Sequence, residues 1–187
     1  MELDIISNNN EKVCEVAMLQ KFYPSRYVES SFVIPYEKMY EKGYRGIIFD
    51  IDNTLVPHGA DADEKAIQLV ARLRKIGFQV CLISNNKEER VVRFNRQIGV
   101  KYVHKANKPS TRNYIKAMEF MGTNKENTFF VGDQVFTDIF GANRTGIASI
   151  LVKPINKKEK IQIVLKRKLE WVVLKFYERK VRKSKLK

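Results

Sequence analysis

Between residues 44 and 152 the chain alternates short apolar runs with longer stretches in which apolar residues return every three or four positions. The short runs predict buried strands over 46–51, 79–84, 101–104, 128–132 and 147–152. The 3.6-residue spacing between them predicts helices over 64–76, 87–97, 111–121 and 135–144. In the first of these helices Ile67, Val70, Leu73 and Ile76 share a face, and Gly77 closes it. Strands alternating with helices predict an α/β, Rossmann-like fold: a five-stranded parallel sheet flanked by helices, with right-handed crossovers. Three regions result: an amphipathic N-terminal extension over 1–43, a core over 44–152, and a basic amphipathic C-terminal helix and tail over 153–187.

The two extensions carry their own patterns. Upstream lie Leu19, Phe22, Tyr23, Tyr27, Val28, Phe32 and Ile34. Downstream, a helix is expected over 160–183, with Ile161, Leu165, Leu169, Val172 and Phe176 on one apolar stripe and Val164 and Val173 beside it. Lys166 and Arg167 fall opposite; Ile163, Leu174 and Lys168 break the separation. With Trp171 and Tyr177, such a helix can lie in a membrane interface or pack on the core.

Composition narrows the partners. A 187-residue chain with 44% hydrophobic and 30% charged residues is that of a folded protein. Of its formal charge of +14, residues 151–187 carry +11. That local excess predicts a polyanionic partner, either an anionic phospholipid membrane surface or nucleic acid. Cys14 and Cys81 form no disulfide framework, and Cys81 sits in an apolar run as a buried thiol, which suits a reducing compartment. The start, Met1-Glu2-Leu3-Asp4, resembles no secretory or transit signal, and no apolar stretch is long enough to cross a bilayer. A cytoplasmic protein, peripheral on the inner face of the membrane, is expected.

Candidate chemistry collects at strand exits, where open α/β sheets bind ligands. Asp50-Ile51-Asp52-Asn53-Thr54 ends the first apolar run, and two carboxylates there can serve as nucleophile, metal ligand and general acid/base. Ser84 ends the second strand, Asp133 follows the fourth, and Lys108 stands before the third helix with Pro109 next to it. Each has an ordinary reading alone: Ser84 as a turn cap, Asn85 and Asn86 as caps of the next helix, Asp138 as an exposed helical acid. Lys101 and Lys105 compete with Lys108, which is preferred because Pro109 sets it at a helix start. His58 and His104 lack ligand-spaced companions.

Together these residues resemble the haloacid dehalogenase-type phosphohydrolases. Asp50 to Thr54 match the family's first motif, Ser84 its second, Lys108 its third, and Gly132-Asp133-Gln134 with Thr137-Asp138 its fourth. The stretch Phe22-Tyr23-Pro24-Ser25-Arg26-Tyr27-Val28-Glu29-Ser30, with Asn53-Thr54-Leu55-Val56-Pro57, is similar to the YqeG-type subgroup, which includes the mitochondrial phosphatidylglycerophosphatase of yeast. His58 departs from the aromatic residue expected there and is taken to lie beyond the chemistry.

The resemblance implies Asp50 as nucleophile, Asp52 as general acid/base, and Ser84, Asn85 and Lys108 as phosphate-binding residues. It also implies Mg2+ held by the Asp50 and Asp133 carboxylates and the Asp52 carbonyl, with Asp138 orienting them from behind. Neither interval that holds cap domains in this family has room for one, so the site should be open to a bulky substrate. A phosphorylated lipid such as phosphatidylglycerophosphate is the leading expectation. A phosphatase of nucleic-acid ends or phosphoproteins, or an RNA- or ribosome-binding protein on the same scaffold, are the alternatives.

Overall fold

Ile47 and Phe49 face one side of a strand and Ile48 the other, and all three are fully buried. Burial on both faces explains why the run is continuously apolar, and it marks the centre of a parallel sheet. The computed structural model describes residues 19–156 and 161–185, with side chains given for 19–156 and 169–182. Cys14, the acidic start, and the side chains of Ile161, Ile163, Val164, Leu165, Lys166, Arg167 and Lys168 lie outside the described residues.

Among the described residues six strands form one all-parallel sheet: β1 Arg26–Val28, β2 Gly46–Phe49, β3 Gln79–Ile83, β4 Lys101–Val103, β5 Thr128–Gly132 and β6 Ala148–Val152, in the order β1-β6-β5-β2-β3-β4. The parallel α/β architecture is as expected, but the strand count of five is corrected to six. β1 comes from the N-terminal extension and pairs Arg26, Tyr27 and Val28 with Ile150, Leu151 and Val152. At three residues it is too short to show a period-2 pattern.

Helices cover both faces. α1 Tyr36–Glu41, α2 Glu64–Ile76 and α3 Glu88–Ile98 bury Tyr36, Leu69, Val70, Leu73, Val91 and Phe94 against Ile47, Phe49, Leu82 and Phe129. On the other face α4 Arg112–Met121 and α5 Phe140–Thr145 bury Tyr114, Ala117, Met118 and Ala142 against Ile48, Cys81, Ile83 and Phe130. In α2 the buried face is Ala66, Leu69, Val70 and Leu73, with Ile67 and Ile76 at its margin, and Gly77 ends the helix at φ 112°. Cys81 is a free buried thiol that burial pushes up to about 12.

The expected helix over 135–144 is two pieces, a π turn, Val135–Ile139, running into α5. Against this turn lies α6, Ile161–Lys185, where Val173 packs with Val135, Ile139 and Leu151. Leu19, Phe22, Tyr23, Tyr27, Phe136 and Leu174 close around them, with Phe22 stacked 4.6 Å from Phe140 and Tyr23 at 5.7 Å from Tyr177. The packing face, Glu170, Val173, Leu174 and Tyr177, lies roughly a third of a turn from the stripe read in the sequence. The described members of that stripe point outward, Leu169 at 59%, Val172 at 44% and Phe176 at 43% exposure.

Candidate active site

β2 pairs with β3 on one side and β5 on the other, so the crevice where strand order reverses opens beside the end of β2. Asp50 stands there, its amide donating to Val131 O at 2.9 Å, and its carboxylate is buried. Burial pushes the Asp50 carboxyl up to about 7; Lys108 pulls against the rise, and Asp138 and Asp52 add to it. Beyond it the chain turns tightly. Asn53 takes φ 64°, a left-handed conformation that asparagine tolerates better than most residues, and its amide donates to Val56 O at 2.7 Å.

That turn aims Asp52 at three donors. Oδ1 accepts from the Gly59 amide at 2.6 Å and from Arg90 Nη2 at 2.9 Å, while Oδ2 accepts from Asn86 Nδ2 at 2.6 Å. His58 Nδ1 stands 3.8 Å from Oδ1 and lines the cavity, so the expectation that position 58 lies beyond the chemistry is corrected. Asn86 and Arg90 were not singled out as site residues by the motifs. They come from one short segment where β3 leads into α3, Asn86 from the bend before the helix and Arg90 from its first turn.

Ser84 is buried at the exit of β3, and its Oγ accepts from the Asn86 amide at 3.2 Å. Asn85 clamps the Lys108 main chain from both sides, accepting from Lys108 N at 2.7 Å and donating to Lys108 O at 3.3 Å. Neither Asn85 nor Asn86 caps α3, whose N-cap is Lys87 without a side-chain bond. Lys108 does not begin a helix either. It lies in a loop after Lys105 and Asn107, both at positive φ, is joined to Pro109 by a cis peptide bond, and precedes α4, whose N-cap is Thr111. This loop brings Lys108, and not the exposed Lys101 or Lys105, to the crevice.

Lys108 Nζ donates to Asp50 Oδ1 at 2.6 Å and to Asp138 Oδ1 at 2.7 Å. Burial alone would depress its pKa, but the Asp138 and Asp50 carboxylates outweigh burial and hold the ammonium protonated. Asp138, at 1% exposure, is no surface acid: Oδ2 accepts from the amides of Asp133 at 3.2 Å and Gln134 at 3.1 Å. Gly132 is required here, because a methyl group on it would sit 2.6 Å from Asp138 Oδ2. Tyr114 fastens the same turn from α4, its hydroxyl lying 3.1 Å from the carbonyls of both Thr137 and Asp138.

Asp50, Asp133 and Asp138 each offer a carboxylate oxygen within 4.8 Å of the others, all buried. With both Asp138 oxygens engaged by Lys108 and the turn amides, Asp50 and Asp133 are the pair placed to hold a cation. Clustered carboxylate oxygens are the donors a hard divalent ion takes, so the residues fit Mg2+. The cavity beside Asp50 is about 200 Å³ and is also lined by Asp52, Asn53, Ser84, Lys108, Gln134 and Thr137. Among the described residues no inserted domain covers it.

Residues 58–146 match the model of the haloacid dehalogenase-like hydrolases. The chain is 35% identical over 165 residues to the "Probable phosphatase YqeG" of Bacillus subtilis (strain 168), covering 87% of this chain and 96% of that one. It is 29% identical over 159 residues to phosphatidylglycerophosphate phosphatase 1, chloroplastic/mitochondrial, of Arabidopsis thaliana, covering 79% of this chain and 45% of that longer one. Among solved structures, the cobalt-bound deoxy-D-mannose-octulosonate 8-phosphate phosphatase of Haemophilus influenzae superposes with a TM-score of 0.47 at 13% identity, over 73% of this chain and 91% of that one. With its acidic crevice and a bacterial relative aligned along nearly its whole length, the chain belongs to the haloacid dehalogenase-like hydrolases, as a phosphatase of the YqeG type.

Proposed function

We propose that the protein is a Mg2+-dependent phosphomonoesterase that works through an aspartyl-phosphate on Asp50 and converts phosphatidylglycerophosphate to phosphatidylglycerol. The observation that carries the reaction is the convergence of Asp50 and Asp133, at the exits of the adjacent strands β2 and β5, with Lys108 from the loop after β4, and with Asp52 two residues from Asp50. An Asp50 oxygen attacks phosphorus in line. The new O–P bond forms as the bond to the glycerol oxygen breaks, and Asp52 gives that oxygen a proton. In the second half Asp52 takes a proton from the attacking water, the Asp50–phosphoryl bond breaks, and inorganic phosphate leaves. The Lys108 ammonium offsets phosphoryl charge, and Ser84 with neighbouring amides donates to phosphoryl oxygens. Mg2+ bound by Asp50, Asp133 and the Asp52 carbonyl would neutralise charge on the phosphoryl group.

Three features support a lipid substrate at a membrane surface: the name of the Arabidopsis relative, the uncovered cavity and the outer face of α6. On that face the exposed Leu169, Val172 and Phe176 are accompanied by Lys175, Arg179 and Lys180. Lys175 Nζ stands 3.6 Å over the ring of Trp171, which is 57% exposed. An apolar strip edged by cations and an aromatic ring suits the interface of an anionic leaflet. No helix among the described residues is long and apolar enough to cross a membrane.

The test is phosphate release from phosphatidylglycerophosphate in mixed micelles with Mg2+, for wild type and Asp50→Asn. Wild type should turn over and the variant should lose about ten-thousandfold in kcat. Equal rates would reject Asp50 as the nucleophile. Faster release from 5′-phosphorylated RNA than from the lipid would reject the substrate.

A further inference from the structure

Glu170 is 4% exposed on a helix otherwise rich in lysine and arginine. A carboxylate is buried at a cost unless donors meet it. Here Oε1 accepts from the amide of Val135 at 2.8 Å and, more weakly, from that of Phe136 at 3.4 Å. These are the first two residues of the π turn that carries Asp138, and Gln134, at the N-cap position, makes no side-chain capping bond. The next two amides upstream, Gln134 and Asp133, go to Asp138 Oδ2. Four consecutive main-chain N–H groups, from Asp133 to Phe136, thus end on two carboxylates, one within the turn and one 35 residues away from Val135 on α6.

We propose that Glu170 is a positioning residue for the cation site: by holding the Val135 and Phe136 amides it fixes the turn that aims Asp133 at Asp50, and so makes α6 part of the catalytic framework. The inference rests on the reading of Asp50 and Asp133 as cation-holding residues. The physical reason is the narrowness of the requirement. Mg2+ demands near-octahedral oxygen contacts at about 2.0–2.1 Å, so a small shift of the segment that leads from Asp133 into the turn removes a usable ligand. Nothing within the turn replaces Glu170. Asp138 is already committed to Lys108 and the two upstream amides, and the Tyr114 hydroxyl meets carbonyls at the turn's far end. The geometry also gives the C-terminal helix two separate roles, with Glu170 turned inward and Leu169, Val172 and Phe176 turned outward.

The alternative is that Glu170 merely anchors α6. Full-length Glu170→Ala, Glu170→Gln and Val173→Ala separate the two, because Val173 secures the same helix through apolar packing with Val135, Ile139 and Leu151. Mg2+ affinity is read by calorimetric titration of the full chain and by the rise in melting temperature with Mg2+. Turnover of p-nitrophenyl phosphate gives the Mg2+ requirement and the split between kcat and KM. Glu170→Ala should weaken Mg2+ binding and lower kcat by about tenfold or more with little change in KM. Glu170→Gln, which keeps an oxygen acceptor, should recover most of the affinity. Val173→Ala should lower the melting temperature and leave Mg2+ affinity as in wild type. The inference fails if Glu170→Ala titrates like wild type, or if Val173→Ala loses as much affinity. A wild type that binds no Mg2+ would sink the cation reading, and this inference with it.

Discussion

The crevice at the strand exits and the outer face of α6 are built in opposite ways. In the crevice each carboxylate has named partners: Asp52 meets Gly59, Asn86 and Arg90, and Asp138 meets Lys108 and two amides. On α6, Leu169, Val172 and Phe176 present apolar area, and Lys175 and Arg179 present charge beside it. A site made of atom pairs fails abruptly when one atom changes, whereas a surface made of area fails by degrees. Substitutions should therefore separate the two regions cleanly.

The sharpest contrast after Asp50→Asn comes from Asp52→Asn, which keeps size and some hydrogen bonding but cannot carry the proton. It should cut kcat by about 10² to 10⁴ on any phosphomonoester, and it should also lower the melting temperature, because Arg90 loses its carboxylate partner. Retained kcat would remove Asp52 from proton transfer. Gly132→Ala comes next, since its methyl would press on Asp138 Oδ2 and on a carbon of Phe130, each 2.6 Å away. Urea unfolding should show a loss of about 1–3 kcal/mol. An unchanged midpoint would mean the turn yields.

A smaller effect is set by pH. With the Asp50 carboxyl raised to about 7, the metal-free folded state keeps a proton that the unfolded chain, with an ordinary carboxyl, has already lost. The contribution of Asp50 to stability is therefore fully present below about pH 4 and is lost as pH rises through about 7. A cation requires the ionised form. The rise in melting temperature caused by Mg2+ should be larger near about pH 8 than near about pH 6, and the reverse order would show that Asp50 is not a ligand. The smallest effect on the fold belongs to α6. Leu169→Ser, Val172→Ser and Phe176→Ser together should change stability by about 0.5 kcal/mol or less and leave turnover of a soluble ester unaltered. Sedimentation with anionic vesicles should be lost, and undiminished sedimentation would remove this face from lipid contact.

The same contrast explains what could be read from the chain alone. Asp50, Ser84 and Asp133 were visible because each sits where an apolar run stops, and a parallel sheet brings such ends to one edge. Arg90, Asn86 and Glu170 are not, because their value depends on the group each meets far along the chain: the Asp52 carboxylate 38 and 34 residues away for Arg90 and Asn86, and the Val135 amide 35 residues away for Glu170. On α6 the 3.6-residue spacing suggests a helix, but periodicity does not say which face turns inward. A buried carboxylate sits on the packing face, and apolar side chains point to solvent. Hydrophobicity alone would have placed these the other way round.

β1 has a consequence reaching past the active site. Its Arg26–Val28 backbone covers the outer side of β6, whose Ile150, Leu151 and Val152 are almost wholly buried. Stripped of that short ribbon, β6 would offer a row of open amides and carbonyls beside aliphatic side chains, a template on which a second molecule could add. The few residues that complete the sheet thus double as its guard against self-association.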